Sequence, residues 1–328
     1  MAEILAQVIR NDRVESIHCG HIVVVTPAGE VVQALGDSRM RTYMRSAAKP
    51  FQSMPLLESS VVKQLGLTVK ELAVTMASHN GEEFHLQAVR SLLAKAGLAV
   101  EDLRCGFHRP LHPPCADQWL LHDHNESPLY NNCSGKHAGM LVLAKGLETP
   151  LATYLQPVHP VQQRIQHKLA IFSGVPEEEI ETGIDGCSAP VFYLPLKNMA
   201  LAYARLAEGK ISPSEQVFKI MSANPEMVAG SGRFDTALMR ITNGRMVSKT
   251  GAEGIRCLGI RAAQPLGIAL KIADGNARVS AVVMLEVLNQ LQLILPQEFA
   301  HLHQFYRPTL INCAGIEIGE IRAQFELS

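Results

Sequence analysis

Residues 131–140, NNCSGKHAGM, bring a thiol, a hydroxyl, an amine and an imidazole close together. The apolar run LVLA at 141–144 follows at once and predicts that these groups lie at the start of a helix. Backbone N–H groups are unpaired there and the helix dipole favours negative charge, so a thiolate or a ligand carboxylate would be stabilised. We therefore interpret this segment as an active-site loop.

A second group of reactive residues is the Ser-x-x-Lys motif of Ser46 and Lys49. Residues three apart on a helix share a face, and Pro50, which has no N–H, predicts that this is the first helical turn. A serine and a lysine can act as nucleophile and base when burial or a neighbouring cation keeps the lysine neutral. Serine β-lactamases use this spacing, although a solvated helix end would also explain it.

Two further segments carry the same chemistry. Ser78 lies in ASHNGE, 77–82, just before a predicted helix, and Lys249 lies in the Lys-Thr-Gly of SKTGAEG, 248–254, after an apolar strand. Each could be ordinary turn chemistry, since Ser, Asn and Gly favour turns. Together with Ser46 and Lys49, in this order along the chain, they predict an amidohydrolase that uses Ser–Lys chemistry.

Two cysteines in loops that open helices, Cys133 and Cys187, indicate a metal site, although a free cysteine is also a common small core residue. By chemistry alone His137 is the favoured third ligand, because a lysine must lose a proton before it coordinates. A rival cluster fits no common zinc spacing, and solvated loop residues explain it better: it comprises Cys105, His108, His112, Cys115, His122 and His124.

Composition limits the class of partner. The chain of 328 residues is 47% hydrophobic and carries 30 basic and 31 acidic residues, interspersed, for a net charge of −1. No basic stripe indicates nucleic acid and no apolar run approaches a membrane span, so we expect a small-molecule partner. Seven irregularly spaced cysteines and no evident signal peptide favour reduced thiols and a cytoplasmic location.

The predicted elements place strands at both chain ends and helices between them, which favours one sheet with an inserted helical region. Predicted strands cover 22–25, 31–35, 245–248 and 267–273, with an edge strand at 317–325. Predicted helices cover 69–76, 82–96, 160–172, 190–207, 213–227 and 278–293.

Six segments together resemble the rhizobial-type L-asparaginases, the Asparaginase II family. The matching segments are RSAAKP at 45–50, ASHNGE at 77–82, CGFH at 105–108, NNCSGKHAGM at 131–140, DGCSAP at 185–190 and KTGAEG at 249–254. They span almost the whole chain, and the cysteine segment is the most specific. One departure is Asp235, at the position where some relatives carry a cysteine after Arg-Phe. A carboxylate in place of a thiol would surround a metal with harder donor atoms.

The resemblance implies an α/β (α+β) fold similar to serine β-lactamases and glutaminases, a homodimer, and hydrolysis of L-asparagine to L-aspartate and ammonia. It implies two Ser–Lys pairs, Ser46 with Lys49 and Ser78 with Lys249. It also implies zinc held by Cys133, Cys187 and, in place of His137, Lys136. Arg45, Lys136, His137 and Asp185 are then the substrate-contacting groups.

We thus predict one two-lobed catalytic domain over 1–328, with an antiparallel-rich sheet lobe over 1–45 plus 236–328 and a helical lobe over 46–235. Ser46 is the predicted nucleophile, Lys49 its activator, and Ser78–Lys249 a second proton-relay pair. The alternatives are a glutaminase or another serine amidohydrolase of similar fold, and a zinc-binding protein without catalysis.

Overall fold

The structure is a computed structural model that describes residues 1–327, the side chain of Asp123 excepted. The chain divides into two compact units: a sheet unit of Met1–Ala47, Leu194–Glu208 and Ala237–Ser328, and a helical unit of Ala48–Tyr193 and Gly209–Thr236. The strands are β1 (Glu3–Arg10), β2 (Arg13–Val25), β3 (Val31–Leu35), β4 (Arg41–Tyr43), β5 (Glu181–Ile184), β6 (Pro190–Pro195), β7 (Met246–Thr250), β8 (Ile255–Ile260), β9 (Leu266–Ile272), β10 (Thr309–Ile311) and β11 (Glu317–Ala323). The helices are α1 (Lys49–Leu57), α2 (Val61–Gln64), α3 (Val69–Thr75), α4 (Glu83–Lys95), α5 (Pro113–Gln118), α6 (Ser134–Gly146), α7 (Pro160–Ser173), α8 (Leu196–Glu208), α9 (Ser214–Ala223), α10 (Pro225–Val228), α11 (Phe234–Ile241), α12 (Ser280–Gln290), α13 (Pro296–His301) and α14 (His303–Tyr306).

The sheet unit is built from both ends of the chain. Its antiparallel sheet has the strand order β10-β11-β1-β2-β9-β8-β7, and β3 pairs with β2. Helices α8 and α12 pack on the sheet. A glycine permits the close approach of α8, because a Cβ on Gly267 of β9 would overlap the carbonyl oxygen of Ala200. The predicted sheet from both chain ends is therefore confirmed.

The helical unit is centred on α6, which packs against α1, α3 and α4. The side chains of α6 are buried from Ser134 to Ala144, all round the helix, as expected of a helix in the middle of a core. The reactive segment, which runs into α6, is therefore anchored to a helix in the core of the unit. Among residues 1–327, no helix is long and apolar enough to span a membrane.

Most predicted elements are confirmed, and the exceptions have local causes. The predicted helix over 190–207 is wrong in its first third, where Pro190–Pro195 forms β6, because the β-branched and aromatic residues there pair with β5. The predicted helix over 213–227 is interrupted at Asn224, since Pro225 has no N–H to continue it.

Two smaller predictions are also corrected. The strand at Glu317–Ala323 is not at the edge, because the short strand β10 covers it and it pairs with β1 on its other side. Ser46 does not begin an α-helix but lies in a 3-10 turn, Arg45–Ala48, and α1 begins at Lys49. The predicted lobe boundaries stay a prediction; in the structure, α8 belongs with the sheet unit.

Candidate active site

The sheet unit carries Ser46 and Lys249. Arg45, just before Ser46, has a left-handed backbone with φ of 50°, an uncommon conformation for a residue with a side chain. This turn lies against the end of β7, because a Cβ on Gly251 would be 3.2 Å from the Cβ of Arg45. Lys249 of β7 is fully buried, and its amine donates to the carbonyl oxygen of Thr250 at 2.9 Å. The turn of Ser46 therefore adjoins the strand end that follows Lys249.

The helical unit carries Lys49 and Ser78 and brings them into contact. The fully buried amine of Lys49 donates to Ser78 Oγ at 2.9 Å, to the Ala77 carbonyl oxygen at 2.5 Å, and lies 3.4 Å from the Asn132 carbonyl oxygen. Burial lowers the pKa of Lys49, against the opposite effect of a negative charge on Cys133. A lysine with a lowered pKa, in contact with a serine hydroxyl, is suited to accept a proton.

The turn that presents Ser78 follows α3 and is fixed by its backbone. The N–H of Ser78 donates to the carbonyl oxygen of Val228 at 3.0 Å, and the N–H of His79 donates to that of Asn132 at 3.2 Å. His79 is buried, and its Nδ1 accepts from the N–H of Gly81, so Nε2 carries the proton and donates to Ser134 Oγ at 2.8 Å. The Ser78 turn is thus joined to the start of α6.

The predicted metal ligands also come together in the helical unit. Lys136 Nζ lies 2.9 Å from Cys187 Sγ, and all three side chains, with Cys133, are buried. A hydrogen bond from Cys187, aided by the positive charges of Lys49 and Lys136, lowers the pKa of Cys133 well below its usual range, while the same bond raises the pKa of Cys187. Burial opposes a positive charge on Lys136, but the neighbouring Cys133 and Cys187 raise its pKa.

The chemistry of this donor set fits a borderline-soft ion such as zinc, with two sulfurs and one amine. The loop that presents Cys187 is held by Asp185, whose N–H donates to the Ala189 carbonyl oxygen at 2.9 Å, and Cys187 Sγ lies 3.7 Å from Asp185 Oδ2. Within residues 1–327 no group of three His, Cys, Asp or Glu side chains is placed to hold a metal. The predicted set differs from such a group because its third member is a lysine.

His137 points to a different partner. Its Nδ1 lies 2.6 Å from the hydroxyl of Tyr154, which also accepts from the N–H of Arg104 at 3.0 Å. Burial lowers the pKa of His137 well below its usual range, and in the described part of the chain its Nε2 is buried with no hydrogen-bond partner. Asp235, the departure from the family pattern, is buried near the start of α11.

The structure also shows what the sequence alone did not reveal. Asn132, within the cysteine segment, places its carbonyl oxygen beside the Lys49 amine, and the Tyr154 hydroxyl contacts His137. In the sequence, the two asparagines before Cys133, Asn131 and Asn132, could have indicated such contacts, because asparagine side chains commonly bond to nearby backbone. The rival cluster of 105–124 does not form a metal site in the part of the chain that the structure describes.

Comparison with known structures gives remote similarities. They include Mglu (14% identity, TM-score 0.38, 84% of this chain and 62% of that one), a β-lactamase from Mycobacterium bovis (14%, 0.40, 88% and 95%) and simvastatin synthase from Aspergillus terreus (13%, 0.39, 77% and 85%). The chain thus spans less than two thirds of the length of Mglu. No curated protein sequence matches this chain.

Comparison with protein families identifies the family of this chain. The family model described as L-asparaginase II matches residues 6–323, nearly the whole chain. The match includes every segment on which the resemblance rests, from the Ser46 motif to the Lys249 motif. The chain therefore belongs to the L-asparaginase II family.

Proposed function

We propose that the protein is an L-asparaginase, which hydrolyses the side-chain amide of L-asparagine to L-aspartate and ammonia. The observation that supports this most directly is the contact of 2.9 Å between the buried amine of Lys49 and Ser78 Oγ. A lysine whose pKa is lowered by burial can be the base of a Ser–Lys unit. Membership of the L-asparaginase II family supports amide hydrolysis as the reaction class.

In the proposed mechanism Ser46 attacks the amide carbonyl carbon while its hydroxyl proton passes to Lys49. Lys49 then gives a proton through Ser78 to the amide nitrogen, which leaves as ammonia, and an acyl ester remains on Ser46. Water hydrolyses that ester by the same route in reverse and restores the Ser46 hydroxyl. Lys249 is paired with Ser78 as the second proton relay. Ser46 and Lys249 enter this proposal from the family resemblance, whereas the Lys49–Ser78 contact is present in the structure.

We further propose that Cys133, Cys187 and Lys136 hold a zinc ion. When bound, zinc supplies a positive charge that helps to orient the substrate.

The amino-acid end of the substrate is assigned to this chain's own residues, with Arg45 for the carboxylate and Asp185 for the ammonium group. His137, with its buried Nε2 lacking a partner among residues 1–327, is assigned to the substrate as well. The enzyme is proposed to be a homodimer.

The activity test is ammonia release from L-asparagine. We expect Ser46→Ala to lose on the order of a thousandfold or more in kcat with its fold intact, because it removes the nucleophile. Ser60→Ala, which removes an exposed hydroxyl elsewhere in the helical unit, is the matched control and should retain activity. Wild-type kcat in Ser46→Ala together with loss in Ser78→Ala would make Ser78 the nucleophile.

Substrate choice is tested on the two amides side by side. If the carboxylate and ammonium groups are both held, the extra methylene of glutamine misplaces its amide, and about 1 Å of misplacement costs roughly a hundredfold in rate. We expect a ratio of kcat/KM of that order in favour of asparagine. Comparable values would favour the glutaminase alternative, and no turnover of either amide by zinc-loaded protein would favour the alternative of a zinc protein without catalysis.

A further inference from the structure

Asn132 lies between the two reactive clusters of the helical unit. Its carbonyl oxygen faces the Lys49 amine at 3.4 Å, and its side-chain Oδ1 lies 3.1 Å from Cys133 Sγ. We propose that His108 is a positioning residue that holds the backbone of Asn132 in place, and thereby sets both the acceptor beside Lys49 and the position of Cys133. The inference rests on the proposed function for its effect on turnover, but not for its effect on Cys133.

The contact that supports this is specific in its donors and acceptors. The backbone N–H of Asn132 donates to His108 Nε2 at 2.8 Å, and His108 Nδ1 lies 2.7 Å from the carbonyl oxygen of Arg109. A backbone N–H can only donate, so Nε2 must be without a proton. The proton is then on Nδ1 and is donated to Arg109. One neutral tautomer of His108 satisfies both bonds, and the adjacent backbone selects it.

The carbonyl group of Asn132, in the next peptide unit, is held as well. Its carbonyl oxygen accepts from the N–H of His79 at 3.2 Å, in the turn that presents Ser78. The next residue, Cys133, donates its N–H to the side chain of Asn131 at 2.9 Å. With His108 removed, the N–H of Asn132 loses its acceptor while the carbonyl oxygen in the next peptide unit keeps its donors. A rotation of the backbone about the Cα of Asn132 would shift the acceptor beside Lys49 and the Cα of Cys133 together.

Other histidines of the same segment have different partners. His112 Nδ1 lies 3.3 Å from Cys115 Sγ, and His124 packs edge-on against Trp119 at 6.0 Å between ring centroids. The side chain of His122 is exposed. In the segment that suggested a rival metal site, His108 is therefore the histidine that bonds to Asn132, the residue before Cys133.

The test compares His108→Phe, which keeps a flat ring but has no acceptor, with His108→Gln, whose amide oxygen can accept from the Asn132 N–H. His122→Phe, at an exposed position of the same segment, is the matched control. All variants are measured as full-length zinc-loaded protein. Three readouts are used: kcat and KM for L-asparagine, melting temperature, and the rate at which iodoacetamide alkylates Cys133, followed by peptide mass.

We expect His108→Phe to lose about tenfold to a hundredfold in kcat with little change in KM, and its Cys133 to be alkylated several-fold faster at an unchanged melting temperature. His108→Gln should recover most of both properties, and His122→Phe should match wild type. If His108→Phe does not fold, His108→Leu replaces it. Wild-type kcat and alkylation in the non-accepting variant, or losses that glutamine does not recover, would overturn the proposal. Absence of turnover in wild type would refute the proposed function instead, and the alkylation rates would still decide the role of His108.

Discussion

Lys49 is the residue on which the proposed proton transfers converge. Its amine is fully buried and bonds to Ser78 Oγ and the Ala77 carbonyl oxygen. Burying an ammonium group is costly, so burial lowers the pKa of Lys49 and makes the neutral amine, which is the form that can accept a proton, easier to reach. The bond at Ala77 fixes the amine beside the serine hydroxyl, which makes Lys49 and Ser78 one functional unit.

A double-mutant cycle tests that unit at the residue scale. Lys49→Met, which retains the apolar stem, and Ser78→Ala should each lose on the order of a thousandfold in kcat, and the double variant should be barely worse than either. The physical reason is that each single change already interrupts the same proton transfer. Lys49→Met combined with Ser60→Ala is the control and should show simple additivity. Losses that multiply in the Lys49–Ser78 cycle would show that the two act separately.

Metal content gives a second prediction for individual residues. Wild type should carry about one zinc per chain, and Cys133→Ala should lose it more completely than Lys136→Ala, because thiolates are the stronger ligands. The raised pKa of Lys136 means that a metal must displace its proton, so occupancy should fall as the pH falls. Exposed Cys313→Ala is the control for metal analysis. Active wild type without zinc would contradict the proposed site.

Individual residues of the site could be named from the sequence, but several contacts could not. The cysteine segment and the three Ser or Lys motifs stand out because their chemistry has no evident packing role. The contact of Lys49 with Ser78 joins residues 29 positions apart through the packing of the helical unit, which no spacing rule reveals. The same is true of His108 with Asn132 and of His137 with Tyr154.

At the scale of elements, α6 determines where the reactive segment lies. Gly135 and Gly139 face α3 at close range, and a Cβ on Gly135 would overlap the carbonyl oxygen of Val74. Periodicity predicted α3, α4 and α7 well because their apolar residues recur on one face. It failed at β6, where Pro190–Pro195 is apolar and its pairing with β5 decided the structure.

Gly135→Ala tests the packing of α6 against α3. Alanine is the better helix former by about 1 kcal/mol, yet we expect a net loss of about 2 kcal/mol or more in the free energy of unfolding, because backbone must move to admit the Cβ. Gly186→Ala is the control, since nothing lies within 4 Å of its added Cβ, and its effect should stay within about 0.5 kcal/mol. Urea denaturation gives both values. A Gly135→Ala variant as stable as wild type would mean that α6 can shift away from α3.

At the scale of the whole molecule, the class of fold follows from where the β-rich segments lie in the sequence. Strands β1, β2 and β3 at one end and β7 to β11 at the other form one antiparallel sheet, as the two strand-rich ends predicted. The position of α8 could not be foreseen, because its place on β9 depends on the glycine that permits close approach, which is a tertiary contact. Each unit has a buried core of its own.

Buried histidines give the molecule a predictable dependence of stability on pH. Burial, partly offset by Glu82, lowers the pKa of His85 to about 4, and burial lowers those of His79 and His137 well below the usual range. The unfolded chain, in which a histidine has a pKa near ~6.5, then binds more protons than the folded one between about pH 4 and 6.5. Stability therefore falls as the pH is lowered through this window.

For His85 alone, the fall from pH 7 to pH 5 should be about 2 kcal/mol, from the difference in proton binding. In the wild-type protein His85 Nε2 donates to the Glu226 carbonyl oxygen at 2.9 Å. In His85→Gln the side-chain amide can donate to the same oxygen but does not titrate. Its free energy of unfolding in urea should therefore change less between pH 7 and pH 5 than that of wild type, by roughly that amount. His167→Gln, which replaces an exposed histidine, should keep the full wild-type dependence. An equal pH dependence in His85→Gln and wild type would show that His85 is not held neutral in the folded protein.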